Sequence, residues 1–188
     1  LDASGDYERL FSKFGTLSDS VMAQIDNRII DQPAIKRLLP DMKLHIESRR
    51  DNPVANLLQA LDMQFKEMML DVSTSPVTGI NGQSYVYTLV YDSTRLDTVR
   101  LSLIQKGDRL TYQGQVRNNK RNPQFVFNAL FDGTLHQHGA LVGLRYYDQN
   151  DKMGVRLGVS AEMEEEGIRL KLMPERPTIG YKEFNLNK

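Results

Sequence analysis

Residues Met153–Met163, "MGVRLGVSAEM", alternate without a break. Met153, Val155, Leu157, Val159, Ala161 and Met163 take the odd positions; Gly154, Arg156, Gly158, Ser160 and Glu162 take the even ones. On a helix this pattern would scatter the apolar groups around the axis, whereas on a strand it gathers them on one face. One greasy face backed by one wet face is the mark of an antiparallel sheet. The greasy face needs cover, because apolar surface left in water costs about 25 cal/mol per Å².

The same period runs outward in both directions. Upstream, "MLDVST", "SYVYTLVY", "VRLSLIQ", "RLTYQGQVR" and "LVGLRYY" alternate, and Gly107-Asp108 marks a hairpin turn between the third and fourth of these. Phe125, Phe127, Ala129 and Phe131 alternate as far as Asp132-Gly133, where a turn is expected. Downstream, "EEEG" turns the chain into "IRLKLM". Then Pro174 and Pro177 set the entry to a last edge strand, "TIGYKEFNLN", whose period slips between Tyr181 and Phe184 as at a bulge. About ten strands joined by short loops predict a β-rich α+β fold: a long antiparallel meander sheet, curled and groove-like, with a few amphipathic helices mainly in the N-terminal third. At about 4.8 Å per strand the sheet would be about 48 Å wide, enough to force it to twist or curl. An open edge at the last strand is an aggregation liability in a free-standing domain and an ordinary joint in a longer sheet. Lys188 is therefore expected to be a cut through a larger protein.

Residues 1–66 read as helix-rich with one or two strands, and residues 67–188 as sheet, the two forming one continuous unit. "DYERLFSKFG" places Tyr7, Leu10, Phe11 and Phe14 on one helical face with Gly15 as the stop, and "SDSVMAQIDNRII" forms a second helix striped by Val21, Ile25 and Ile29. "QPAIKRLLP" is bounded by prolines. "MKLHIES" is a strand, and "NPVANLLQALDMQF" is a helix capped by Asn52, with Val54, Leu57, Leu58, Leu61 and Phe65 on its apolar face. The opening "LDAS" hints at an earlier strand-then-helix unit.

Composition narrows the chemistry. Of 188 residues, 24 are Lys or Arg and 24 are Asp or Glu, so no net field favours nucleic acid. The absence of Cys removes thiolate catalysis and Cys-based zinc sites, and leaves the redox compartment open. Ser160 lacks the glycine-flanked elbow of a hydrolase nucleophile. His136 and His138 have a metal-compatible spacing but no third ligand nearby in sequence, and Glu164, Glu165 and Glu166 lack the spaced oxygens of a calcium loop. Arg117, Lys120 and Arg121 in "RNNKRNP" could meet phosphates, yet a solvated hairpin loop is the plainer reading. No catalytic, cofactor-binding or metal-ligating residues are assigned, no cofactor is expected, and the chain is not expected to be an enzyme. The groove candidates are Met153, Val155, Leu157, Val159, Ala161 and Met163, lining either an ordinary core or a trough in which each buried lipid methylene gains about 0.8 kcal/mol.

"LPDMKLHIESRRDNPVANLLQAL", the hairpins "RLDTVRLSLIQ" to "TYQGQVRNNKRNPQFVFNALFDG", and "GLRYYDQNDKMGVRLGVSAEMEEEGIRLKLMPERPTIGYKEFNLN" resemble an internal segment of the TamB proteins of Bacteroidetes, translocation and assembly module subunits of the AsmA-like superfamily. The resemblance begins at about Leu39 and contains no catalytic motif. It implies a periplasmic part of a cell-envelope protein whose inner-membrane anchor lies outside this segment, with a hydrophobic-lined β-trough bridging towards the outer membrane. The implied partners are phospholipid acyl chains or unfolded outer-membrane proteins, with a TamA-like outer-membrane partner for the full-length protein. An interaction module that docks outer-membrane protein precursors by strand addition is the alternative.

Overall fold

The computed structural model describes residues 7–29, 31–49, 52–59, 62–165 and 167–185. Helix α1, Tyr7–Asp26, is one continuous helix. Gly15 was expected to stop it and does not. A mid-helix glycine costs only about 1 kcal/mol relative to Ala, and termination waits for a left-handed residue, which comes at Arg28 with φ 55°. There Ile29 N–H reaches back to Gln24 C=O at 2.8 Å and Arg28 N–H to Ile25 C=O at 3.1 Å, closing the helix end. The side chains of Tyr7, Leu10, Phe11 and Phe14, and the opening "LDAS", lie outside the described residues.

Helix α2, Gln32–Leu38, starts where the Asp31 carboxylate accepts from Ala34 N–H at 2.9 Å, and has Pro33 in its first turn. Pro40 follows it, and strand β1, Met42–Arg49, begins at once. Helix α3, Pro53–Gln59, is capped as expected, with the Asn52 side-chain oxygen accepting from Ala55 N–H at 3.0 Å. It is shorter than the apolar spacing suggested. Met63–Gln64 instead form a two-residue strand β2 against the far end of β4, and Phe65 is buried from a non-helical position. Val54, Leu57 and Leu61, expected on the helix face, lie outside the described side chains.

The rest is one open, eleven-stranded antiparallel meander: β3 Glu67–Ser75, β4 Gly79–Tyr91, β5 Thr94–Lys106, β6 Arg109–Asn118, β7 Phe127–His136, β8 Gly139–Tyr147, β9 Met153–Glu164, β10 Gly167–Ile179 and β11 Lys182–Glu183. The sheet runs β1-β3-β4 and onward in chain order to β11, with β2 off this path beside β4. β1, from the helix-rich first part, joins the sheet by pairing with β3.

Two strand boundaries differ from expectation. β7 passes straight through Asp132-Gly133, because Asp132 is held by Arg145 of β8 at 2.9 Å and Gly133 is roofed by the Tyr112 ring; the turn falls at Gln137-His138. Thr178 and Ile179 end β10 beyond an irregularity between Met173 and Thr178, and Gly180-Tyr181, both at positive φ, form the turn into β11.

Accessible surface totals 13053 Å², where a compact globule of 21.5 kDa would expose ~9,200 Å². The excess comes from the sheet's open faces together with the exposed helix α1. Among the described residues only two hydrophobic side chains are buried, Leu39 at 7% and Phe65 at 5% exposure, and both belong to connections around β1 and β2. The helices leave the middle of the sheet bare. Helix α2 meets one end of it, where Gln32 Nε2 donates to Gln105 Oε1 at 3.0 Å and Lys36 Nζ to Gly107 C=O at 2.9 Å; α3 meets β1 and β2.

Candidate functional site: an uncovered apolar face and a basic hollow

Residues paired across neighbouring strands project to the same side of a sheet, so the register draws the faces. One row reads Leu172, Val159, Val142, Gly133, Tyr112, Leu103, Gly82, Val72, Leu44 from β10 to β1. Two residues along, Leu157, Leu144, Phe131, Gly114, Leu101, Ser84, Leu70 and Ile46 form the next row. The next is Val155, Tyr146, Ala129, Val116, Val99, Val86, Met68 and Ser48. Apolar alternation in each strand thus adds up to a single apolar face from one side of the molecule to the other. The reverse face is more polar but mixed: one row reads Arg156, Arg145, Leu130, Gln115, Arg100, Tyr85, Met69 and Glu47, and another carries Asp132, Gln113, Ser102, Gln83, Asp71 and His45.

The apolar face partly covers itself. The Phe131 ring lies over Gly114 of β6, and the Tyr112 ring over Gly133 of β7, so that a Cβ at either glycine would overlap the ring. Tyr112 reaches across β7, its hydroxyl donating to Leu141 C=O of β8 at 3.4 Å. Burial, and then the Asp132 carboxylate, push that phenol above its ordinary value of 10.0. Towards the β8 and β10 side the cover thins: Val142 is 51% and Leu170 is 69% exposed.

Five of the six groove candidates, Val155, Leu157, Val159, Ala161 and Met163, sit half-buried on this face of β9. Met153 does not share their register. Tyr146 pairs with Val155 but Tyr147 pairs with Met153, an extra residue at Gly154 that sets Met153 opposite the residue alternation sends to the other face. Alternation alone could not show this, since the bulge is decided by the partner strand. Gly154 is instead roofed by the rings of Tyr146 and Tyr181.

At the end of the sheet that holds the β4–β5 turn, Arg117, Lys120 and Arg121 of "RNNKRNP" are exposed, as a solvated loop requires, but Asn118 and Asn122 are buried. Asn118 is 1% exposed; its side-chain oxygen accepts from Asp97 N–H at 2.9 Å and its amide donates to Arg95 C=O at 3.1 Å. The buried Asp97 carboxylate accepts from Asn119 N–H at 2.9 Å and from Arg95 Nε at 3.2 Å. Asn122 donates to Arg95 C=O and Gln124 to Ser93 C=O, while Gln124 Oε1 accepts from Arg95 N–H. Sequence reasoning passed over these amides. The only signal was the density of Asn in a loop facing a two-residue turn. Beside this plug lies a hollow of about 610 Å³, lined by Tyr87, Arg95, Arg117, Asn119, Lys120 and Arg121.

The remaining constellations stay apart. His136 Nε2 faces Glu162 Oε1 at 3.3 Å while His138 is exposed in the turn, and among the described residues no three His, Asp or Glu gather as metal ligands. Ser160 stands mid-strand, paired with Leu141 and Lys171. Glu164 is held by Arg169 at 2.7 Å. No family model, no curated protein and no solved structure matches the chain. Among the described residues, no helix is long and apolar enough to cross a membrane.

Proposed function

We propose that this chain is a non-enzymatic segment of a cell-envelope protein and that its apolar sheet face carries lipid acyl chains. The carrying observation is the largely apolar face that runs across β1 and β3–β10, whose middle no helix or second sheet covers among the described residues. An ordinary domain of this size hides such a surface, whereas an acyl chain lying along it would gain about 0.8 kcal/mol per buried methylene. The resemblance to TamB proteins supports the same reading and extends it: a periplasmic location, phospholipid transport or outer-membrane protein assembly, and a TamA-like partner for the full-length protein.

Leu157 tests it, because it lies in the middle row of the face with Ser160 on the opposite side of the same strand. Leu157→Asp is expected to abolish retention of phospholipid, read by native mass spectrometry and by a fluorescent fatty-acid probe. Ser160→Asp should leave both readings unchanged. If the wild-type chain retains no acyl ligand, or if the two variants lose it equally, the reading fails.

A second reading has its own observation. The outer edge of β10 is paired by β11 only at Thr178 and Ile179, which leaves the backbone of Gly167–Met173 open beside the exposed Leu170. An edge of that kind suits docking of an unfolded outer-membrane protein by strand addition. Leu170→Pro, which removes an N–H that β9 does not use and stays apolar, should abolish capture of a barrel-derived peptide while sparing the acyl probe.

A further inference from the structure

The hollow beside the Asn118 plug lies apart from the apolar face. Its floor is a single register row of the reverse face, in which the small Thr98 is flanked by Tyr87 on β4 and Arg117 on β6. Two large side chains around a short one leave a depression, and the β6–β7 loop closes its rim with Lys120 and Arg121. Of the four cations here only Arg95 has an acidic partner, the buried Asp97; among the described residues Arg117, Lys120 and Arg121 make no ion pair. Lys66 adds charge from the side, its Nζ 5.3 Å from the centre of the Tyr87 ring. Glu67, paired with Tyr87 on the same face, is the nearest acid in register.

A chain with equal numbers of acids and bases has concentrated unpaired cations at one place and fixed the loop that bears them with buried amides. Arg donors in a forked arrangement on a rigid frame are what recognition of a tetrahedral oxyanion requires, and a frame ordered in advance lowers the entropy lost on binding. We propose that this hollow binds the phosphate group of a phosphate ester, held by Arg117, Lys120 and Arg121 with the Tyr87 ring as one wall. The site stands independently of acyl binding, being on the other face.

The test uses the whole chain and two probes: glycerol phosphate as a soluble ester, and phosphatidylcholine vesicles doped with phosphatidic acid as a lipid headgroup. Arg117→Gln/Lys120→Gln/Arg121→Gln is expected to weaken binding of whichever probe the wild type takes by more than about tenfold. Lys43→Gln/Lys106→Gln/Lys171→Gln, removing equal charge elsewhere, should change it by less than about twofold. Circular dichroism confirms that both variants are folded. Binding of glycerol phosphate assigns a soluble ester; binding of the vesicles alone assigns a lipid headgroup. Equal loss in both triple variants, binding of neither probe, or binding of single-stranded RNA alone overturns the proposal. Leu157→Asp should leave this binding intact, so failure of the acyl reading is seen separately.

Discussion

At the residue scale, the most consequential side chain is one with no apolar character. Asn118 satisfies Asp97 N–H and Arg95 C=O at once in a nearly sealed position. Removing it strands Asp97 N–H, while Arg95 C=O keeps the Asn122 amide, and a buried unsatisfied group costs about 1–3 kcal/mol. Asn118→Ala is therefore expected to destabilise the chain by about 1–3 kcal/mol in urea unfolding; a change below about half a kcal/mol would show that the plug is solvated after all. Asp148 gives a pH signature. Its carboxylate accepts from Lys152 N–H at 3.0 Å and Asn150 N–H at 2.9 Å. The Lys152 backbone bond first, outweighing desolvation, and then Asn150 and the Tyr181 hydroxyl hold it below its ordinary 3.8. The folded state thus favours the ionised form, and its contribution is complete above the ordinary carboxylate range and lost as the pH falls through the depressed value. Tyr181 is pushed above 10.0 by desolvation and by Asp148, so its contribution is lost only as the pH rises through that raised value. Asn150 and Lys152 amides should stay protected from neutral pH to mild acid and open below the ordinary carboxylate range, as hydrogen exchange would show. Asp148→Asn should return the Tyr181 ring titration towards its ordinary value, followed by NMR.

At the scale of elements, pairing across strands supplies what alternation along a strand leaves undecided. A glycine reads as a weak point in a strand, yet Gly114 and Gly133 are the places where neighbouring rings lie flat on the sheet. Gly114→Val is expected to displace Phe131 and destabilise the chain by about 1–3 kcal/mol. Phe131→Ala in the same chain should restore part of that loss, and the double-mutant cycle reports the contact. Additive effects would mean that the ring does not rest on the glycine. The alternation of β3 to β10 was legible because a period of two is a property of neighbours in sequence. The turn at Gln137-His138, the bulge at Gly154 and the passage of α1 through Gly15 were not, because each depends on a partner or on a backbone angle that residue type only biases.

At the scale of the molecule, the open sheet leaves a thermodynamic trace. The unfolded chain would expose ~31,000 Å², of which this fold hides about 58% in place of the ~70% of a compact domain. Heat capacity of unfolding follows the area exposed. Calorimetry is therefore expected to give a value about a fifth below that of a compact globule of equal length, about 2.3–2.8 kcal/mol/K. A value inside that range would mean that the apolar face is covered in solution, by a second copy or by rearrangement. A bound acyl ligand should raise both the midpoint and the heat-capacity change, since it binds only the folded chain and hides more surface.

Alternation in the sequence was enough to specify a long antiparallel meander with one face more apolar than the other, and to put Val155, Leu157, Val159, Ala161 and Met163 on one side of β9. Alternation is local, and its consequence for a strand is fixed by geometry. Only the tertiary structure decided that the helices cap the ends and leave the middle of the face bare, and that asparagines seal one turn. It also decided that Met153 is thrown out of register and that Arg117, Lys120 and Arg121 gather round Tyr87. Those outcomes depend on which distant residues meet, and the sheet's register, set by many strands together, brings them there.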